Sequence, residues 1–173
     1  MIRRLTVRAL PGETSKGLIN ADGVVFPCAL GRGGISANKR EGDGATPLAR
    51  MAIVSGFYRA DRFRPGATML PMTAIRGDLG WCEVPDDRNY NRPVTMPYAA
   101  SHERMLRDDT LYDCCIVLDW NLVPRRRGRG SAIFFHLARP GFTPTLGCVA
   151  VTRAVMARLL PRLSIRTVMT VIR

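Results

Sequence analysis

The chain has 173 residues, 46% hydrophobic and 23% charged, which is ordinary globular usage. That length predicts one domain, residues 1–173, with a buried core. It excludes a disordered chain, a collagen-like chain and a small disulfide scaffold, and no apolar run reaches the ~18–20 residues of a membrane span. Twenty-six basic residues, all arginine except Lys16 and Lys39, oppose fourteen acidic ones and leave +12. Such a charge attracts polyanions without choosing among nucleic acid, anionic lipid and carboxylate-rich wall polymer.

Met1 to Leu10 carries arginines but no apolar segment of the kind that follows them in a secretory signal. In chain order, Leu5 to Leu10 alternates and reads as a strand. Val24 to Leu30 reads as another, ended by Gly31-Arg32-Gly33-Gly34, and Met51 to Tyr58 as a third. Arg76 to His102, rich in Asp, Asn, Pro and Tyr, reads as a long irregular insertion, the kind of loop that carries function. Ser101 to Arg107 reads as a short helix or turn. Tyr112 to Trp120 is a buried strand by composition. Pro124 to Gly130 (PRRRGRG) is the most basic run and reads as a hairpin loop; few aromatics accompany it, which argues against a nucleic-acid stacking platform. Ser131 to Leu137 and Gly147 to Val151 are further strands. Thr152 caps a helix over Arg153 to Leu160, ended by Pro161, and Ser164 to Ile172 is a last strand. Many short strands with one or two short helices predict a mainly β domain, sandwich or barrel-like.

The five cysteines, Cys28, Cys82, Cys114, Cys115 and Cys148, leave at least one free thiol. They show neither a C-x-x-C nor a zinc-type Cys/His spacing, so no metal is expected. Cys114 and Cys115, adjacent in a strand, point to opposite faces.

The chemistry concentrates in Ile133 to Val151 (IFFHLARPGFTPTLGCVAV). His136 ends an apolar strand, and Thr145-Leu146-Gly147-Cys148 opens the next. A thiol is a strong nucleophile only as thiolate. A histidine in reach takes its proton and leaves an ion pair primed to attack a carbonyl. Gly147 permits a tight turn and bares the N–H groups of Gly147 and Cys148 to a developing oxyanion. Thr145 can bond the loop or a substrate. The same spacing also suits a core histidine and a packed cysteine.

These residues resemble a known family. T-L-G-C after F-F-H resembles the catalytic signature of the L,D-transpeptidases (YkuD-type domain). Asn38 to Leu48 (NKREGDGATPL) is similar to the family's K-x-E-G-D-G-x-T-P-x segment. SHERMLRDDTLYD, IVLDWN and GRGSAIFFH resemble the approach to the catalytic strand, in the family's order.

The resemblance implies a mainly β domain acting without cofactor on peptidoglycan stem peptides, with a tetrapeptide donor and an amine acceptor. It implies Cys148 as nucleophile, His136 as base, Gly147 with the Cys148 backbone as oxyanion site, and Thr145 as the motif hydroxyl. D-Ala would leave, and the acyl group would pass to an amine in a 3-3 or 1-3 crosslink. Beta-lactams of the carbapenem type would acylate the thiol. Tyr98, Ser101, His102 and Glu103 resemble a P-Y-x-x-S-H-E segment of single-domain relatives and are candidate substrate contacts, as are Trp81 and Arg139. Ala150 departs from the Arg or Asn common two residues after the cysteine. The alternatives are a carboxypeptidase or amidase using water, and a basic polyanion-binding protein with a vestigial site. A monomer that binds no nucleic acid is expected in the periplasm or cell envelope, with the cytoplasm as alternative.

Overall fold

The computed structural model describes residues 1–173. Strands β1 (Arg4–Ala9), β2 (Lys16–Ala21) and β3 (Val24–Ala29) form an antiparallel meander. After the two-residue strands β4 (Ile35–Ser36) and β5 (Thr46–Pro47) come β6 (Arg50–Tyr58) and β7 (Met72–Ala74). Next are β8 (Leu79–Cys82), β9 (Pro93–Thr95) and β10 (His102–Arg104). The chain ends with β11 (Cys114–Leu118), β12 (Phe134–Leu137), β13 (Val149–Val151), helix α1 (Arg153–Leu159) and β14 (Val168–Val171).

The main sheet runs β11-β12-β13-β3-β2-β1-β14-β6, and β6 pairs back to β11. The sandwich or barrel-like domain expected from sequence is therefore a closed barrel, which leaves few open edges. β7 extends beside the second half of β6. The seam between β13 and β3 rests on the single pair Ala150–Ala29. Beyond it the chain is stitched by Thr145 N–H to Leu30 O at 2.9 Å and Arg32 N–H to Thr145 O at 2.9 Å.

β11 shows how the residues choose their faces. Cys114, Ile116 and Leu118 enter the barrel core, while Cys115 and Val117 face outward into a second apolar cluster. Both faces are covered, so the strand reads as one continuous apolar run. The two adjacent cysteines do point to opposite faces. Helix α1 packs Met156 and Leu159 on the barrel, and the Thr152 hydroxyl accepts from Val155 N–H at its start.

The Arg76 to His102 stretch is irregular only in part: it carries β8, β9 and the first residue of β10, which form a three-stranded sheet in the order β10-β8-β9. This sheet lies over the outer face of β11 and β12, with Trp81 and Met105 packed beside Phe134 and Val117. Its strands are three or four residues long, too short to show alternation, and Pro93 sits at the start of an edge strand where its missing N–H costs nothing. Ser101 to Arg107 is not helical either. His102 and Glu103 are extended and pair with Cys82 and Trp81. β2 lacks a sequence signal because two of its inward positions are Gly17 and Ala21. A Cβ at Gly17 would lie 2.5 Å from Arg8 O. The closeness of β1 excludes the side chain that would have marked the strand.

Ile116 is fully buried between the barrel's facing walls. Ile116→Ala is expected to cost about 2–5 kcal/mol in urea unfolding, whereas Arg126→Ala on the exposed hairpin stays within about 0.5 kcal/mol.

Candidate active site

β12 and β13 are parallel neighbours, with Phe135 opposite Val149 and His136 opposite Ala150. Phe135, Leu137, Val149 and Val151 fill the barrel core. The intervening residues, Phe134 and His136 on one strand and Cys148 and Ala150 beside it, therefore face outward. His136 and Cys148 line one cleft of about 410 Å³ between the barrel wall and the three-stranded cap. Thr145, Gly44 and Glu103 are among its other lining residues.

Cys148 is 7% exposed. Its Sγ accepts from Phe134 N–H at 3.3 Å and donates to Ala132 O at 3.2 Å. His136 Nδ1 lies 2.8 Å from Leu137 O. A carbonyl only accepts, so Nδ1 carries the proton and Nε2 keeps its lone pair. Burial pushes the Cys148 thiol up to about 12 and pulls His136 down to about 4. The resting pair is thus thiol and neutral imidazole, not the primed ion pair that the residue types suggest, because both charged forms would be desolvated here.

Gly147 has φ of +135°, and a Cβ there would lie 2.8 Å from Ala45 O. Its N–H donates to Thr145 Oγ1 at 3.1 Å, and Thr145 Oγ1 donates to Cys148 O at 2.7 Å. The threonine thus ties its own turn together. The Gly147 N–H is spent on that tie, while the Cys148 N–H has no intramolecular partner. Of the two N–H groups expected to face an oxyanion, only that of Cys148 is left without a partner.

The stretch Asn38 to Leu48 forms the cleft wall. Asp43 is its anchor: it accepts from Arg40 N–H at 2.7 Å, from Ala45 N–H at 2.8 Å and from the buried Lys39 ammonium. Ala45, fixed in this way, presents the carbonyl that closes on Gly147.

The remaining candidates divide. Glu103 and Arg139 line the cleft with Thr145. Arg139 reaches Asp109 at 3.1 Å, and burial raises the Glu103 carboxyl. Trp81 does not line it; the ring is buried under the cap, edge-on to Phe134, with its N–H on Asn91 Oδ1 at 3.0 Å. Tyr98 lines a separate shallow hollow and donates to Asp87 at 2.7 Å. Ser101 donates to Glu83 at 2.6 Å, and His102 Nδ1 bonds Ala100 O at 2.8 Å; neither lines the cleft. These polar side chains hold the cap's own turns, a role that residue type alone does not separate from substrate contact.

Sequence reasoning missed Tyr112 and Arg107. The Tyr112 ring lies edge-on to His136, with centroids 5.3 Å apart. The Arg107 guanidinium covers Tyr112 at 5.1 Å, donates to Glu103 at 2.7 Å and grips Asp109 with two bonds of 2.8 Å. These bonds hold the Asp109 carboxyl well below the usual carboxylate range. The only sequence signal was Tyr112 at the head of the apolar run Tyr112 to Trp120, of which Cys114–Leu118 forms the strand.

The L,D-transpeptidase catalytic domain (YkuD) family model matches residues 17–172. The chain belongs to this family. No curated protein and no solved structure matches it significantly. The match of this L,D-transpeptidase domain spans the cleft: His136, Thr145, Leu146 and Cys148 all line one cavity within the matched residues. Ala150, the departure from the family pattern, stands beside His136 in register and leaves the cleft floor there without a charge.

Gly147→Ala is expected to lose about 1–3 kcal/mol of stability and most acyl-transfer activity, checked by thermal unfolding and product assay. With burial holding the thiol protonated, iodoacetamide alkylation of Cys148 in the free protein should rise about tenfold per pH unit through the neutral range. Peptide mass spectrometry at a series of pH values checks this; a plateau near neutrality would show a resting thiolate.

Proposed function

We propose that this domain crosslinks peptidoglycan stem peptides through a thioester on Cys148. The observation that supports it most is a single cleft holding both a buried thiol and an imidazole whose Nε2 is free to take a proton. Family membership supplies the substrate class, peptidoglycan peptides.

In the first half-reaction, Sγ attacks the carbonyl of the third stem residue as its proton passes to His136 Nε2. The developing oxyanion takes the unpaired Cys148 N–H. Collapse expels D-Ala, its amine accepting the proton from His136. In the second half, an acceptor amine attacks the thioester, gives its proton to His136 and restores the thiol. The acceptor is a side-chain amine in a 3-3 crosslink or the N-terminal amine of L-Ala in a 1-3 crosslink. The neutral resting pair suits this chemistry, since proton transfer then accompanies attack rather than preceding it. This reading puts the domain in the cell envelope, on the periplasmic side, where mature stem peptides lie. No helix is long and apolar enough to cross a membrane. Carbapenems, which present a strained acyl group, are expected to acylate the same thiol.

Mixing the protein with purified disaccharide-tetrapeptide should yield a dimer lacking one terminal D-Ala, and its fragment ions identify the acceptor amine. Cys148→Ala should abolish the product. Tripeptide monomer alone would move the activity to hydrolysis, and an active Cys148→Ala protein would refute the assignment.

A further inference from the structure

Asn91 is 1% exposed and lies in the turn between β8 and β9, with φ of +54°. Its amide uses its full bonding capacity. Oδ1 accepts from Trp81 Nε1 at 3.0 Å and from Ala132 N–H at 3.0 Å. Nδ2 donates to Trp120 O at 3.0 Å and Asn121 O at 2.9 Å. Two partners only donate and two only accept, so the amide has a single orientation. Ala132 also holds a positive φ, +51°, a conformation an alanine adopts only when its surroundings impose it. Its N–H is tied to Asn91, and its carbonyl receives the Cys148 thiol at 3.2 Å. Phe134, two residues on, donates its N–H to the same sulfur at 3.3 Å.

We infer that Asn91 is a positioning residue for Cys148: its amide oxygen holds Ala132 in the left-handed conformation that aims the Ala132 carbonyl at the thiol. The inference rests on the reading of Cys148 as nucleophile and goes beyond it, because Asn91 belongs to the cap and touches neither reacting atom. With one acceptor and one donor engaged, the sulfur has one resting position. Turning the S–H from Ala132 O toward His136 Nε2 then moves the proton while the Phe134 N–H still holds the sulfur. The proton starts on Sγ and ends on Nε2, and the Phe134 bond stabilises the thiolate as it forms. The titratable groups that act on this thiol are Lys39 from the cleft wall, Glu103 from β10, Tyr112 ahead of β11, Cys115 within it, and His136, while Arg32, Glu41, Glu83, Arg107 and Arg139 line the same cleft. Apart from His136, to which the proton passes, none of them replaces the Ala132 carbonyl as acceptor.

The test is the infrared S–H stretch of Cys148, isolated as the difference between wild type and Cys148→Ser. A band below the free-thiol position is expected in wild type. In Asn91→Ala it should return toward the free position and iodoacetamide alkylation at neutral pH should rise, because the bond that favours the protonated thiol is lost. Crosslinking kcat should fall about tenfold with KM unchanged, as misplacement of a reacting atom predicts. Trp81→Phe releases the same amide oxygen from the cap side and should leave the band in place. A folded Asn91→Ala protein with the wild-type band and alkylation profile would overturn the inference. So would a band that moves equally in Trp81→Phe. Should Asn91→Ala not fold, the wild-type band decides: a lowered band supports the bond, a free-thiol position overturns it. Turnover retained by Cys148→Ser would instead refute the nucleophile reading, while leaving the hydrogen bond measurable.

Discussion

Everything at the cleft depends on strand parity. β12 and β13 run parallel with Phe135 opposite Val149 and His136 opposite Ala150. Because side chains alternate, the register that packs Phe135, Leu137, Val149 and Val151 into the barrel core also turns His136 and Cys148 outward together. A slip of one residue would bury His136 among aliphatic side chains and expose Val149. The apolar core therefore enforces the alignment of the polar pair. The tight turn at Gly147, closed by Ala45 O and tied by Thr145, ends the loop so that Cys148 meets its neighbours at the right level.

A barrel wall alone would leave that pair open to water. The cap sheet supplies the cover, and it is built from the stretch with the least regular sequence. Its Trp81 rests edge-on against Phe134, and Tyr112 rests edge-on against both Phe134 and His136. Arg107 closes the outer side of Tyr112 while its forks occupy Glu103 and Asp109. The result is a buried imidazole and a buried thiol lining one cleft, with Arg107, Glu103, Asp109 and Arg139 beside it paired to one another. Desolvation explains both shifted titrations. It also explains why a neutral pair, not an ion pair, is the resting form.

The mainly β class and most of the barrel strands were legible in the sequence. Alternation marked β1, and the apolar run at β11 carried its two-faced burial. The Thr-x-Gly-Cys turn after a strand-borne histidine marked the cleft. The cap was not legible, for physical reasons. Its strands are too short for a period, and Asn, Asp, Pro and Tyr serve its turns rather than a surface loop. Asn91 shows the limit most clearly: an asparagine amid turn residues reads as solvent-facing, yet every bond its amide can make is used internally. Trp81, Tyr98, Ser101 and His102, expected from their chemistry at the substrate, lie outside the cleft lining and bond within the cap. Gly17 and Ala21 hid β2, because close packing against β1 removed the side chains that pattern reading needs.

Part of the arginine content serves the same architecture. Long connections leave backbone carbonyls that no ladder satisfies, and such groups need donors. A guanidinium supplies several in a fixed fork, which a lysine does not. Arg125 donates to Tyr90 O at 2.7 Å and Arg88 O at 2.9 Å. Arg59 donates to Arg107 O and Arg62 to Asp108 O and Asp109 O. Arg153 joins Arg62 O to the buried Asp113. Within the basic run after Pro124, Arg127 meets Asp86 at 3.2 Å and Arg129 meets Asn38 at 2.9 Å. Arg125, Arg127 and Arg129 thereby link the hairpin to the cap and to the Asn38 to Asp43 wall. The most basic run therefore braces the walls beside the cleft, while Arg126 stays exposed to solvent.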